Sequence, residues 1–179
     1  MKIYIVLTQT GTTLSKVLEH ITKDEYNHAS ISLDEELNHM YSFGRRHAYN
    51  PFWAGFIKEH PSQGTFKRFK NASAKIISVD INEDDYFIVK TYLENMYKNK
   101  YNYKYNFKGL IYAAKDKVYI KENHYYCSEL VREILRKANA VDSYEFDGIV
   151  KPVDFLNIKN HEEVYVGNLH KYNTQLNYK

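Results

Sequence analysis

The stretch that most constrains the fold of this chain lies in its last third and holds its only cysteine, Cys127. Apolar residues recur there at positions 127, 130, 131, 134, 135 and 138. This spacing places them on one helix face, so we predict a helix over 127–138 that buries this face against another layer. A cysteine on an apolar stripe is typical of a core position. A cysteine at a helix N-terminus also suits nucleophilic chemistry, because the helix dipole favours the thiolate.

Composition narrows the class of protein. The chain has 179 residues, of which 44% are hydrophobic and 26% charged, and we expect one domain over residues 1–179. A single cysteine excludes an intramolecular disulfide and a cysteine-rich zinc site, and we expect no metal and no cofactor. No stretch approaches the roughly 20 apolar residues of a membrane span. The apolar run at the N-terminus is short for a signal peptide, so we expect a cytoplasmic protein.

Nucleic acid is not an expected partner. The net charge is +3, which is too small to indicate nucleic-acid binding without a concentrated basic patch. The strongest candidate patch is 98–108, where lysines and tyrosines alternate. Stacked tyrosines with lysines can bind a single strand, but we interpret this segment as a solvated edge or loop.

The first half of the chain predicts strands and a hairpin. Residues 28–33 alternate strictly, with Ala29, Ile31 and Leu33 on one face, and 39–44 follow as the returning strand. The remaining predictions are a buried strand over 3–8, a helix over 14–21, a long loop over 45–64, and strands over 65–69 and 74–81.

The second half predicts helices and one further strand. Asn82 is expected to cap a helix to about Lys98. We expect the inward residues of that helix to be Phe87, Ile88, Tyr92 and Met96. The other predictions are irregular or partly helical structure over 101–112, a helical turn over 152–156 and a strand over 163–167. Helices and mostly antiparallel strands in separate blocks indicate the α+β class.

A cysteine nucleophile requires a base, and histidine is the usual one. Of the eight histidines, His28 is the most suggestive, because it opens the alternating strand and shares a face with Ser30 and Ser32. An ordinary edge histidine would give the same pattern. His161 or His170 would be the base if His followed Cys, as in papain, although those spacings leave little room for a sheet.

Three segments together resemble the circularly permuted papain-like amidases. This branch of the NlpC-like superfamily includes YiiX-like and lecithin retinol acyltransferase-like proteins. Residues 28–33 are similar to its histidine-led strand, 40–44 to its returning strand, and 126–131 to its nucleophile helix. His28 precedes Cys127 by 99 positions, the reverse of the papain order, as permutation implies. The resemblance implies a papain-like fold in which a mostly antiparallel sheet packs against the nucleophile-bearing helix.

The resemblance also implies the activity and the site. The expected activity is that of a cysteine hydrolase or acyltransferase on an amide or ester bond, with Cys127 as nucleophile and His28 as base. Cell-wall peptides, small amide conjugates and lipid esters are the implied substrates, and we favour a small amide or peptide. The family usually carries Glu, His, Asn or Gln as a third residue on the returning strand. Here face parity favours Ser42, and His39 is the alternative.

Two kinds of substrate contact are expected around this site. Tyr126 could donate to an oxyanion alongside the Cys127 backbone N–H. Arg45, with its neighbour Arg46, could bind a substrate carboxylate. A catalytically weak or inactive binding protein on the same fold is the alternative function, because serine is a weak third residue and an aromatic segment lies at 52–56. That alternative predicts side chains of Cys127 and His28 too far apart for a hydrogen bond.

Overall fold

A single mixed sheet of eight strands organises the computed structural model, which describes residues 1–10, 24–47 and 49–172. The strands are β1 Lys2–Gln9, β2 His28–Ser32, β3 Met40–His47, β4 Asn50–Glu59, β5 Ser73–Asp80, β6 Lys104–Tyr105, β7 His124–Tyr125 and β8 His161–Asn168. Their order across the sheet is β7-β6-β4-β3-β2-β1-β5-β8. The β6–β7 pair is parallel, and the other pairs are antiparallel.

Four α-helices lie among the described residues: α1 Gly64–Arg68, α2 Glu83–Lys98, α3 Phe107–Ala113 and α4 Cys127–Lys137. Short 3-10 turns lie at Lys100–Asn102, Pro152–Asn157 and Leu169–Lys171. The α+β class is therefore confirmed, as is the helix that begins at Cys127. None of the helices in the described part of the chain is long and apolar enough to cross a membrane.

Both faces of the sheet are buried. In β1, Ile3, Ile5 and Leu7 belong to one apolar cluster, while Tyr4 and Val6 belong to a second cluster on the other face. A strand buried on both faces has no reason to alternate between apolar and polar residues, which explains why β1 does not. The predicted strands over 3–8, 28–33, 39–44, 74–81 and 163–167 are confirmed as β1, β2, β3, β5 and β8.

The predicted apolar stripe of α4 packs on the first of these faces. Leu130, Val131, Ile134 and Leu135 are fully buried there with Ile31 of β2. Burying each such side chain stabilises the fold by about 1.5–3 kcal/mol. This packing fixes the first turn of α4 against β2 and β3.

Two predicted elements are wrong. The proposed loop over 45–64 instead completes β3 and forms β4, in which Phe43 pairs with Phe56 and Gly44 with Gly55. Its prolines and glycines indicated a loop, but Gly55 lies in a strand interior, where the Arg46 guanidinium covers its Cα. The proposed strand over 65–69 is the helix α1, whose one buried residue is Phe66.

Helix α2 is confirmed, and its predicted inward face is confirmed for Met96, which is buried, and for Tyr92, which packs partly buried against the core, but not for Phe87 and Ile88. The Asn82 side chain accepts a hydrogen bond from the Asp85 backbone N–H at 2.7 Å, as a capping residue should. Val89, Leu93 and Met96 are buried, whereas Phe87 and Ile88 are 51% and 54% exposed. The helix carries apolar residues on two faces, and the pattern did not decide between them.

The remaining predictions concern short elements. The helical turn predicted over 152–156 is the 3-10 turn Pro152–Asn157. The segment 101–112 contains the helix α3 as well as β6, which was not predicted. The helix predicted over 14–21 lies outside the described residues.

Candidate active site

The first turn of α4 holds Cys127 in a fixed position. Cys127 is the first helical residue and is 4% exposed. The Glu129 carboxylate accepts a hydrogen bond from the Tyr126 backbone N–H at 2.9 Å. Burial raises the pKa of Glu129, while this bond and one from the Asn106 side chain oppose the rise. Glu129 therefore holds in place the backbone that carries the thiol, as a carboxylate in the first turn of a helix can.

The structure brings Cys127 and His28 together. The His28 side chain and its charge act on the Cys127 thiol, so the two groups lie within interaction range of each other, and Cys127 Sγ also lies 3.9 Å from Ser128 Oγ. Burial raises the pKa of the Cys127 thiol, but the hydrogen bond and charge of His28 lower it by more. A backbone hydrogen bond from Ala29 also lowers it. The net result is a pKa below the ordinary cysteine value, which favours the thiolate.

Glu59 is the third member of this group. His28 Nε2 lies 3.1 and 3.2 Å from the two carboxylate oxygens of Glu59, and Ser30 Oγ donates to Glu59 Oε2 at 2.5 Å. Burial lowers the pKa of His28, but the charge of Glu59 and the bond to Cys127 raise it by more, to about 10. Since Nε2 faces Glu59, Nδ1 is the nitrogen left for the thiol. The positively charged imidazole of His28 is therefore held between the Glu59 carboxylate and the Cys127 thiolate.

A glycine beside this group leaves room for it. A Cβ placed on Gly44 would lie 3.4 Å from Glu59 Oε1, 3.6 Å from His28 Cε1 and 3.0 Å from Ile57 Cδ1. The last distance is tighter than ordinary packing allows. A side chain at position 44 would therefore displace Ile57, which lies beside His28 and Glu59.

Neither residue predicted for the third position contacts His28. Ser42 Oγ donates to the Ala29 carbonyl at 2.8 Å, which ties β3 to β2. His39 is bonded to Asp34 through Nδ1 at 2.9 Å, with a side chain 55% exposed. Both predictions are corrected to Glu59, whose longer side chain reaches from β4.

Glu59 was missed because it lay in the segment interpreted as a loop. The alternation of Gly55, Ile57 and Glu59 with buried Phe56 was the signal that could have found it.

Two tyrosines lie near the thiol. The Tyr126 hydroxyl is hydrogen-bonded by the Val150 backbone, and burial raises its pKa. Tyr105, which sequence reasoning did not single out, is partly buried on β6. Burial and then the negative charge of Cys127 raise the pKa of Tyr105 well above its ordinary value, so its hydroxyl keeps its proton. Tyr105 is therefore a donor within electrostatic range of the nucleophile.

The two predicted arginines differ. Arg46 Nη2 donates to the carbonyls of Lys100 and Tyr103 at 2.6 and 3.1 Å, which anchors the 3-10 turn over β4. Arg45 Nη2 is enclosed and has no hydrogen-bond partner in the described structure. Burial and the nearby Arg68 charge lower the pKa of Arg45, while Tyr105 opposes this. Arg46 is a structural residue, and Arg45 remains free to bind an anion.

Cys127 opens onto a small apolar cleft of about 50 Å³. Its walls come from α3 and from residues 149–152, and include Leu110, Ala113, Val150 and Pro152. An apolar substrate group adjacent to the reacting carbonyl would fit this side of the thiol.

The alternative bases lie elsewhere. His161 is on β8, which β1 and β5 separate from β2, and its Nδ1 is bonded to the Ile158 carbonyl at 2.7 Å. His170 is exposed on the 3-10 turn that follows β8. In the described ranges no group of three or more His, Cys, Asp or Glu side chains is placed to hold a metal ion.

Comparisons with protein-family models, curated proteins and solved structures found no match to this chain. Its function is therefore inferred from the site.

Proposed function

We propose that this chain is a cysteine hydrolase or acyltransferase on a permuted papain-like fold, acting on an amide or ester bond. The observation that carries the proposal is the placement of the His28 imidazole between the Cys127 thiol and the Glu59 carboxylate. A nucleophile, a base and a group that orients the base are the three parts of a covalent catalytic triad.

Acylation begins with the Cys127 thiolate. Its sulfur forms a bond to the substrate carbonyl carbon, and the carbonyl electron pair moves onto oxygen. The Cys127 backbone N–H is a donor available to this oxyanion, and Tyr105, which interacts electrostatically with Cys127, is a candidate for a second donor. When the intermediate collapses, the bond to the leaving amine or alcohol breaks, and the leaving group takes its proton from the His28 imidazolium.

Deacylation reverses these roles. Neutral His28 removes a proton from water or from another acceptor, which attacks the thioester carbon. The carbon–sulfur bond breaks and regenerates the thiolate beside the imidazolium. Glu59 keeps the ring oriented throughout and stabilises its positive charge, as the third residue of a triad does.

Alkylation of the single thiol by iodoacetamide tests the proposal before any substrate is known. Free cysteine, with a pKa of about 8.5, is only about 1% thiolate at pH 6.5. We expect Cys127 to react at pH 6.5 at least about tenfold faster than free cysteine, with a rate midpoint at lower pH.

The control is His28→Ala, which should raise the midpoint of the rate profile to that of ordinary cysteine or above, because burial then acts on the thiol without the opposing effect of His28. Mass spectrometry of Cys127→Ala should show no adduct, since the chain has no other cysteine. A midpoint at or above that of free cysteine in the unaltered chain contradicts the proposal.

A further inference from the structure

A second and larger pocket lies on the Glu59 side of the site. Its volume is about 530 Å³, and Arg45, Lys58, Glu59 and His60 line it. Of the described residues in its lining, Glu59 is the only carboxylate, and its charge is already paired with His28. The cations of the lining therefore have no anion of their own inside the pocket.

Both arginines of this lining keep an enclosed nitrogen without a hydrogen-bond partner in the described structure, Nη2 of Arg45 and Nε of Arg46. Arg46 is nevertheless anchored through its Nη2, which donates to two backbone carbonyls, and no comparable bond holds Arg45 among the described residues. An enclosed donor left unpaired is unfavourable, and more so when the group is charged. The repulsion from Arg68 adds to this cost. A ligand oxyanion would remove both costs.

Arg45 also shares its pocket with a residue of the proposed triad. Glu59 lines the same pocket and bonds His28. An anion held at Arg45 would thus sit beside the triad, on the side away from the apolar cleft.

We propose that the substrate carries a carboxylate close to the bond that is cleaved, and that Arg45 binds it in this pocket. The inference rests on the proposed function. It divides the substrate into an apolar part, placed in the cleft at 149–152, and an acidic part, placed in the basic pocket. A small amide or peptide with an acidic group adjacent to the scissile bond has this composition.

Two alkylating reagents of nearly equal size test this inference. Iodoacetate carries a carboxylate, and iodoacetamide does not. The measured quantity is the ratio of their rate constants at Cys127. His28 attracts iodoacetate in every variant, so a change in the ratio isolates Arg45. We expect Arg45→Gln to lower the ratio about threefold, the effect of one partly exposed ion pair.

Two further variants make the result specific. Arg45→Lys keeps the charge and should retain most of the preference for iodoacetate. Lys171→Gln removes an equal charge from an exposed position on the 3-10 turn after β8 and should leave the ratio unchanged. Thermal melts of each variant check that the fold is retained.

The outcomes are separable from those of the proposed function. A ratio that is the same in Arg45→Gln and in the unaltered chain overturns the carboxylate pocket, while fast reaction with iodoacetamide leaves the triad standing. Slow reaction of the unaltered chain with iodoacetamide overturns the proposed triad, and with it the inference of a carboxylate pocket that rests on the triad.

Discussion

The end of β4 and the first turn of α4 each place a carboxylate at the site, and the two are used differently. Glu59 accepts from side chains, namely the His28 imidazole and the Ser30 hydroxyl. Glu129 accepts from the backbone N–H of Tyr126. A carboxylate bonded to a titratable side chain can set its protonation state, whereas one bonded to the backbone can only hold a conformation. The comparison predicts separate consequences for chemistry and for stability.

The largest effect is expected from Glu59→Gln. The amide keeps the shape but removes the charge that stabilises the imidazolium, so the thiolate loses its cation. We expect the rate of Cys127 alkylation at pH 6.5 to fall about tenfold or more, in line with the 1.5–3 kcal/mol of a hydrogen bond to a charged group. The pH profile of alkylation measures this.

Ser42→Ala is the matched control, because Ser42 was the predicted third residue and bonds only backbone carbonyls. The pH profile of Cys127 alkylation in Ser42→Ala should keep the midpoint of the unaltered chain. If the midpoint shifts as far in Ser42→Ala as in Glu59→Gln, the contrast between the roles of Glu59 and Glu129 is contradicted.

The pH dependence of stability gives the next effect. His28 has a folded pKa of about 10, above its ordinary value of 6.5. Its contribution to stability is therefore complete below about pH 6.5 and is lost as the pH rises through about 10. In Cys127→Ala no thiol titrates and the part of the rise that comes from Cys127 is lost, so the free energy of unfolding should fall over a range that starts near pH 6.5 and ends below pH 10, by about 1 kcal/mol.

Denaturant titrations at several pH values measure this slope. Adding Glu59→Gln to Cys127→Ala should flatten it, because the charge of Glu59 is the largest cause that raises the pKa of His28. An equal slope in both chains would show that the His28 charge is not held by Glu59.

The smallest effect is expected from Glu129→Ala. Loss of the carboxylate leaves the Tyr126 N–H unpaired at a buried helix start. We expect the free energy of unfolding to fall by about 1 kcal/mol, measured by denaturant titration. The alkylation profile should keep its midpoint. A midpoint displaced as far as that of Glu59→Gln would mean that both carboxylates act on the thiol.

The sequence predicted the parts of this site that rest on local patterns. Cys127 begins a helix with a clear apolar stripe, and His28 begins a strand with strict alternation, so spacing placed each residue at the start of its element, and the resemblance to permuted papain-like amidases paired them. Glu59 and Tyr105 could not be found in this way. Glu59 lies in a segment whose two prolines and two glycines indicated a loop, and Tyr105 lies on a two-residue strand whose pairing with β4 and β7 depends entirely on tertiary structure.

The same contrast applies to the helices. The capping residue Asn82 was predicted correctly because a cap is a local hydrogen bond. The inward face of α2 was predicted correctly only for Met96 and Tyr92, because Phe87 and Val89 are both apolar and only the position of the sheet decides which of them is buried. A hydrogen bond between residues close in sequence could therefore be predicted, whereas the helix face that packs against the sheet could not.

The separation of 99 positions between His28 and Cys127 has a consequence for the unfolded chain. The lowered pKa of Cys127 depends on a histidine that reaches it only after β2 and α4 have packed together. In the unfolded chain we expect Cys127 to be an ordinary thiol, mostly protonated at neutral pH and slow to react. Under the proposed function a long-range contact therefore activates the thiol, and its reactivity would report that β2 and α4 have packed together.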